Sequence, residues 1–166
     1  HALYNYLLPH SFTPKKLLQQ EKSSSAYVFY WGINKEFAAL GLHNILFSDD
    51  YKKEFDYLFS KQLPIEDTTI YINITSKYCK DDAPECCENW FVMVNVPHNK
   101  SESIHYAAAV RKNIVDKINM MLKTDIEKYI ISESTLSPID IENQTSSFGG
   151  SLYGNSSNNK FAAFLR

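Results

Sequence analysis

Glycine is scarce in this chain, 5 among 166 residues, and the positions of those five already exclude one class of site. Gly32, Gly41, Gly149, Gly150 and Gly154 nowhere form G-x-G-x-x-G behind a strand, and there is no P-loop. Cradling a pyrophosphate needs backbone N–H groups presented by such a turn, so no dinucleotide site starts in this stretch. Cysteine is limited to Cys79, Cys86 and Cys87. An odd count argues against a closed disulfide framework, and no CxxC or histidine pair completes a zinc site. These read as loop thiols in a reducing compartment. No run approaches the roughly 20 apolar residues that span a bilayer. No basic segment leads into an apolar one as in a signal peptide. Excess charge of one sign is also lacking. The net charge of −2 leaves no basic footprint for nucleic acid. The expectation is a soluble, cytoplasmic domain that binds no metal and no nucleic acid.

What is present is apolar and aromatic. Hydrophobic residues make up 44% and aromatic residues 14%, too rich for a disordered chain and sufficient for one core. Residues 1–22 read as a helical lead-in, with Leu3, Leu7, Leu8, Leu17 and Leu18 on a partial stripe and Thr13-Pro14 as cap and first helical residue. Residues 26–33 (AYVFYWGI) are dense in β-formers and predict a strand buried on both faces or paired centrally. Residues 43–47 predict a second strand. Asp49 and Asp50 then open a helix whose apolar stripe is Tyr51, Phe55, Leu58 and Phe59, with Lys52, Lys53 and Glu54 outside it, and Pro64 ends it. Ile70, Ile72 and Ile74 alternate with polar positions as a third strand, and residues 90–96 (WFVMVNV) form a fourth, separated by a polar loop.

Ser101 or Ser103 caps the longest helix, with Ala107, Val110, Ile114, Ile118, Met121 and Leu122 inward. Arg111, Lys112, Asp116, Lys117 and Lys123 fall mostly on its wet side. Residues 126–132 suggest an edge strand, and Ser137-Pro138-Ile139-Asp140 a capped short helix. Strands joined by loops, with helices mainly on one face, predict an α+β fold with an antiparallel or mixed sheet of four to six strands.

Few residues stand out chemically. His43, His98 and His105 could each act as a base, but none is spaced with a nucleophile or an orienting acid. Asp81, Asp82, Glu85 and Glu88 read as a solvated acidic loop, since their spacing is not that of a calcium loop. Gly149, Gly150 and Gly154 allow either a sharp turn or close approach to a ligand.

Read together, these segments resemble the bacterial-type phytoene and carotenoid desaturases. Ser24 to Gly32 (SSAYVFYWG) is similar to that family's SS-x-x-x-x-Y-x-G strand, and Leu42 to Tyr51 (LHNILFSDDY) to its HHN-x-x-F-x-x-D-[YF]. The third strand with Ala83-Pro84-Glu85, then Glu88 to Pro97, then Gly150-Ser151-Leu152-Tyr153-Gly154 follow in the family's order. The likeness runs from about residue 24 to residue 166. It departs at Leu42, where the family pairs histidines, at the missing Asp-Pro after the third strand, and at Cys86, where the family has glycine.

The resemblance implies residues 23–166 as the substrate-domain portion of a larger flavoenzyme that removes hydrogens across C–C bonds of a long polyene. FAD would sit in the complete enzyme, with none expected in this stretch and no catalytic residue in it. Tyr27, Phe29, Trp31, His43, Trp90 and Phe91 would wall an apolar tunnel, although ordinary core packing is the competing reading of the aromatics. Gly150, Ser151 and Gly154 would approach the flavin. The implied partners are the polyene, the FAD-binding remainder of the same chain and a membrane surface touched peripherally. The alternatives are another amine-oxidase-like flavoprotein such as a retinol saturase-like oxidoreductase, or a free-standing module for an apolar ligand.

Overall fold

The computed structural model describes residues 7–9, 14–63, 65–98 and 104–156. After a single turn, α1 (Lys15–Leu18), come β1 (Ser25–Ile33), β2 (His43–Leu46), α2 (Tyr51–Phe55), β3 (Ile70–Asn73), β4 (Glu88–Val96), α3 (Ile104–Leu122), β5 (Ile130–Leu136) and α4 (Pro138–Thr145). The strands form one sheet in the order β2-β3-β4-β1-β5, antiparallel at every pairing. This is the expected α+β fold. The long β-branched and aromatic strands β1 and β4 lie side by side in its centre, pairing Ser25 with Val96 through Ile33 with Glu88. β2 and β5 are the edges.

Side chains alternate across a strand, so the sheet has two unlike faces. The inner face carries Tyr27, Phe29, Trp31 and Ile33 of β1 with Trp90, Val92, Val94 and Val96 of β4, all buried. Helix α3 covers it with Val110, Ile114, Val115 and Ile118. The expected helical stripe is corrected at one end, because Met121 is 54% exposed while Val115 is buried. Lys117, placed on the wet side by pattern, is drawn in to Asp67 Oδ1 at 2.6 Å and to the Phe47 and Thr68 carbonyls, both at 2.8 Å. Arg111 reaches Glu133 of β5 in a fork and Glu127 with its other nitrogen, and these carboxylates raise its pKa.

Two further expectations change. The helix after Asp50 runs as α2 and then widens into a π-turn over Asp56–Lys61, which shifts the stripe. Tyr51 and Phe55 are exposed, whereas Glu54 is buried. Its carboxylate accepts from Ser48 Oγ at 2.7 Å, Thr68 Oγ1 at 3.0 Å, Thr69 N at 2.8 Å and Thr69 Oγ1 at 2.7 Å, which supplies the hydrogen bonds that a buried acid needs. The fifth strand starts later than expected. Ile126–Tyr129 forms a 3₁₀ turn, tied by Ile126 N to Asn119 Oδ1, and the polar run Ile130–Leu136 takes the edge of the sheet.

The capped short helix is present as α4. Ser137 Oγ accepts from Asp140 N, while Asp140 Oδ2 accepts from Ser137 N and Oγ. These Ser137 bonds hold the Asp140 carboxyl below its ordinary 3.8. A folded pKa below the unfolded one gives stability that is present above 3.8 and lost as pH falls through the folded value. An acid titration of unfolding free energy should show this loss, and Asp140→Asn should remove it.

Proposed capping by Ser101 or Ser103, the Pro64 stop, Thr13 and the His105 side chain lie outside the described residues. In the polar loop, Cys79 and Cys86 are exposed and Cys87 is half-buried. Cys86 has φ 62°, inside a turn closed by Cys87 N to Pro84 O at 3.0 Å. A side chain is disfavoured in that left-handed region, so Cys86→Gly is expected to stabilise by about 1 kcal/mol, read as a higher urea midpoint with unchanged slope.

Candidate functional site: the open face of the sheet

The other face of the sheet is partly uncovered. Following the strand register, one row across it reads Ile45, Tyr71, Met93, Val28 and Leu136. The next reads His43, Asn73, Phe91, Tyr30 and Ser134. A third reads Asn89, Gly32 and Ser132. Tyr30 is 46% and Ile45 51% exposed, large values for residues in strands of a packed sheet.

The aromatic rings on this face touch in sequence across four strands. Tyr30 meets Phe91 edge-on at 5.6 Å, Phe91 meets Tyr71 edge-on at 6.2 Å, and Tyr71 stacks on His43 at 6.1 Å. Such spacings are favourable for aromatic pairs and hold each ring in place. His43 is also fixed by hydrogen bonds. Its Nδ1 lies 2.8 Å from Tyr71 Oη and 3.1 Å from Asn73 Nδ2, whose amide also donates to Leu42 O. An amide nitrogen only donates, so the Asn73 contact presents a donor to Nδ1. A groove of about 540 Å³ runs over Tyr30, Phe91, Gly32, Asn73, Ser132 and Ser134.

Sequence reasoning placed six residues at a substrate wall. His43 and Phe91 lie on the open face. Tyr27, Phe29, Trp31 and Trp90 turn to the inner face and are only 1 to 2% exposed, because each is one pleat out of phase with Tyr30 and Phe91, although Trp31 and Trp90 also border the groove. They form part of the core, where Tyr27 stacks on Phe29 at 6.1 Å and Trp90 meets Phe37 at 5.4 Å. Tyr30, Tyr71, Asn73, Ser132 and Ser134 were not singled out by sequence. The strict alternation of β3 could have identified Tyr71 and Asn73, while the polar edge strand carries no such signal.

The glycine motif is largely taken up by packing. Gly150 has φ 67°, and a Cβ there would fall 2.3 Å from Pro138 O and 2.8 Å from Ser25 Oγ. Its carbonyl accepts from Ser25 Oγ at 2.7 Å. Ser151 is buried beside it. Gly154, with φ 73°, has open space where a side chain would go, and its carbonyl accepts from Ser23 N. Gly150 and Ser151 are thus engaged in the packing of α4 against β1. Among the described residues, no group of three His, Cys, Asp or Glu side chains is placed to hold a metal ion. No described helix is long and apolar enough to cross a membrane.

No family model matches the chain. Curated proteins do. It is 52% identical over 164 residues to 1-hydroxycarotenoid 3,4-desaturase of Flavobacterium sp. (strain P99-3), covering 98% of this chain and 34% of that protein. By sequence the chain belongs with the carotenoid desaturases and oxygenases. It is 35% identical over 149 residues to 4,4'-diaponeurosporene oxygenase of Staphylococcus haemolyticus (strain JCSC1435), covering 86% of this chain and 30% of that protein. It is 30% identical over 143 residues to 4,4'-diapolycopene oxygenase of Methylomonas sp., covering 84% of this chain and 29% of that protein. The chain thus spans about a third of the length of these carotenoid-enzyme relatives.

Proposed function

We propose that this chain contributes the substrate wall of a FAD-dependent carotenoid desaturase, and that its open sheet face is that wall. The observation that carries the reading is the ladder Tyr30–Phe91–Tyr71–His43, four rings in contact on a face that remains partly exposed. Strands lie ~4.8 Å apart, so a ladder over four of them extends about 14 Å. A conjugated polyene is flat, stiff and apolar, and a fixed row of rings offers it stacking and burial without reordering.

The open face carries no pairing of a base with a nucleophile. Its residues would bind the chain, orient it and exclude water. The hydride acceptor would be FAD, held by polypeptide other than these residues. A lipid-soluble substrate favours peripheral contact of the whole enzyme with a membrane surface. Desaturation is favoured over oxygenation because the desaturase relative is 52% identical and the oxygenase relatives 35% and 30%. By the same likeness, the substrate would be a polyene bearing a hydroxyl two carbons from the bond that loses hydrogen, as that relative's name specifies.

The test uses the full natural protein. Purified, it should show a flavin absorption spectrum and should red-shift the absorption of a hydroxylated polyene as conjugation lengthens. Phe91→Ala should lower kcat/KM on that polyene about tenfold, since it removes the central ring of the ladder. A flavin-free protein, or one that turns over retinol or a water-soluble amine instead of a polyene, would overturn the reading.

A further inference from the structure

The open face is graded in polarity along the strand direction, and the grading says which way a ligand with one polar end would lie. The row Ile45, Tyr71, Met93, Val28 and Leu136 is apolar apart from one phenol. One step along the strands, ~6.8 Å, the aromatic pair Phe91 and Tyr30 is flanked by Asn73 and Ser134. A further step brings Asn89, Gly32 and Ser132. Thr75 joins this last row through Asn89 Nδ2, which donates to Thr75 Oγ1 at 2.7 Å.

We infer that the β5 end of the groove, formed by Ser132 and Ser134, is a subsite for a neutral hydroxyl at the end of an apolar ligand. The inference rests on the proposed function, whose polyene it orients: apolar chain over the ladder, hydroxyl over the third row.

Three observations carry it. The hydroxyls of Ser132 and Ser134 have no hydrogen-bond partner among the described residues, though both border the groove. The Asn89 amide is committed, its Oδ1 accepting from Ser76 N at 2.9 Å and its Nδ2 donating to Thr75 Oγ1 at 2.7 Å, and Asn73 lies three strands away on β3. At the β5 side the polar side chains are thus the two serine hydroxyls, each able to donate and accept, which matches an alcohol that does both. The three rows carry no Asp, Glu, Lys or Arg, and Glu133, which also borders the groove, has its carboxylate taken up by Arg111, so a charged end group would find no free counter-charge there, whereas a neutral hydroxyl needs none. Gly32 keeps the floor clear, because a Cβ at that position would lie 2.4 Å from Ser132 Oγ.

The experiment compares two polyenes of equal length, one hydroxylated at its end and one not, in the full natural protein and in its Ser132→Ala/Ser134→Ala variant. Both serines are exposed on an edge strand, so the variant should fold. Two lost hydrogen bonds should lower kcat/KM for the hydroxylated polyene about tenfold and leave the other within about twofold. Affinity, read by quenching of tryptophan fluorescence, should show the same split. An equal fall for both polyenes, or no fall for either, would overturn the subsite. If the wild-type protein desaturates neither polyene, the proposed function fails, while the quenching measurement still decides whether the serines recognise the hydroxyl.

Discussion

Replacing Glu88 with alanine is expected to destabilise the protein by about 3–5 kcal/mol, the cost of breaking a buried ion pair by removing one partner. Glu88 opens β4 and is 2% exposed. One carboxylate oxygen accepts from Phe37 N at 2.9 Å and pairs with Lys77, and the other accepts from Trp90 Nε1 at 2.7 Å. Lys77 also donates to Phe37 O at 2.8 Å. One acid thus fastens the loop after β1, the turn after β3 and the indole that Phe37 packs on. Alanine would leave a largely buried ammonium beside a single carbonyl and two buried N–H groups with no acceptor. Urea denaturation should show a lower midpoint with the same slope. Changing Lys77 to methionine in the same variant should restore part of the loss, because the uncompensated charge goes with it. A loss below about 1 kcal/mol would mean that these contacts are not the ones holding the loops.

Glu88 and Glu54 also mark where sequence reasoning ran out. Each was read as a solvated acid, since a carboxylate in a polar loop or next to a pair of lysines carries no sign of burial. The groups that satisfy them, Trp90, Phe37 and Lys77 in one case and Ser48, Thr68 and Thr69 in the other, become neighbours only after the sheet has closed. A sheet, antiparallel or mixed, was legible, because β3 alternates and β1 is too rich in aromatics for anything else. Their faces were not. In AYVFYWGI both pleats carry large apolar residues, so periodicity alone could not say whether Tyr27 and Trp31 or Tyr30 would meet a ligand. Register against β4 and the placing of α3 decide it. The serines of β5 were not singled out for a related reason, since the polar half of a strand held to its neighbour by backbone pairing carries no pattern that marks a face, and the edge strand expected over residues 126–132 stopped short of Ser134.

Gly150→Ala is expected to cost about 3 kcal/mol, and Gly154→Ala only about 1 kcal/mol, although both glycines have positive φ. The left-handed backbone penalises alanine at either site. The sites differ in what a Cβ would meet, which at Gly150 is the Pro138 carbonyl at 2.3 Å and at Gly154 nothing within 4 Å. The obstacle at Gly150 is backbone at the start of α4, so it yields only if the helix shifts against β1, disturbing the 2.7 Å bond from Ser25 Oγ to Gly150 O. Thermal or urea unfolding measured with no flavin present separates two roles for this glycine. A large loss confined to Gly150→Ala assigns it to the close approach of helix and strand. Equal, small losses at both positions would mean that helix packing does not require the glycine, and would return the motif to a ligand-facing role.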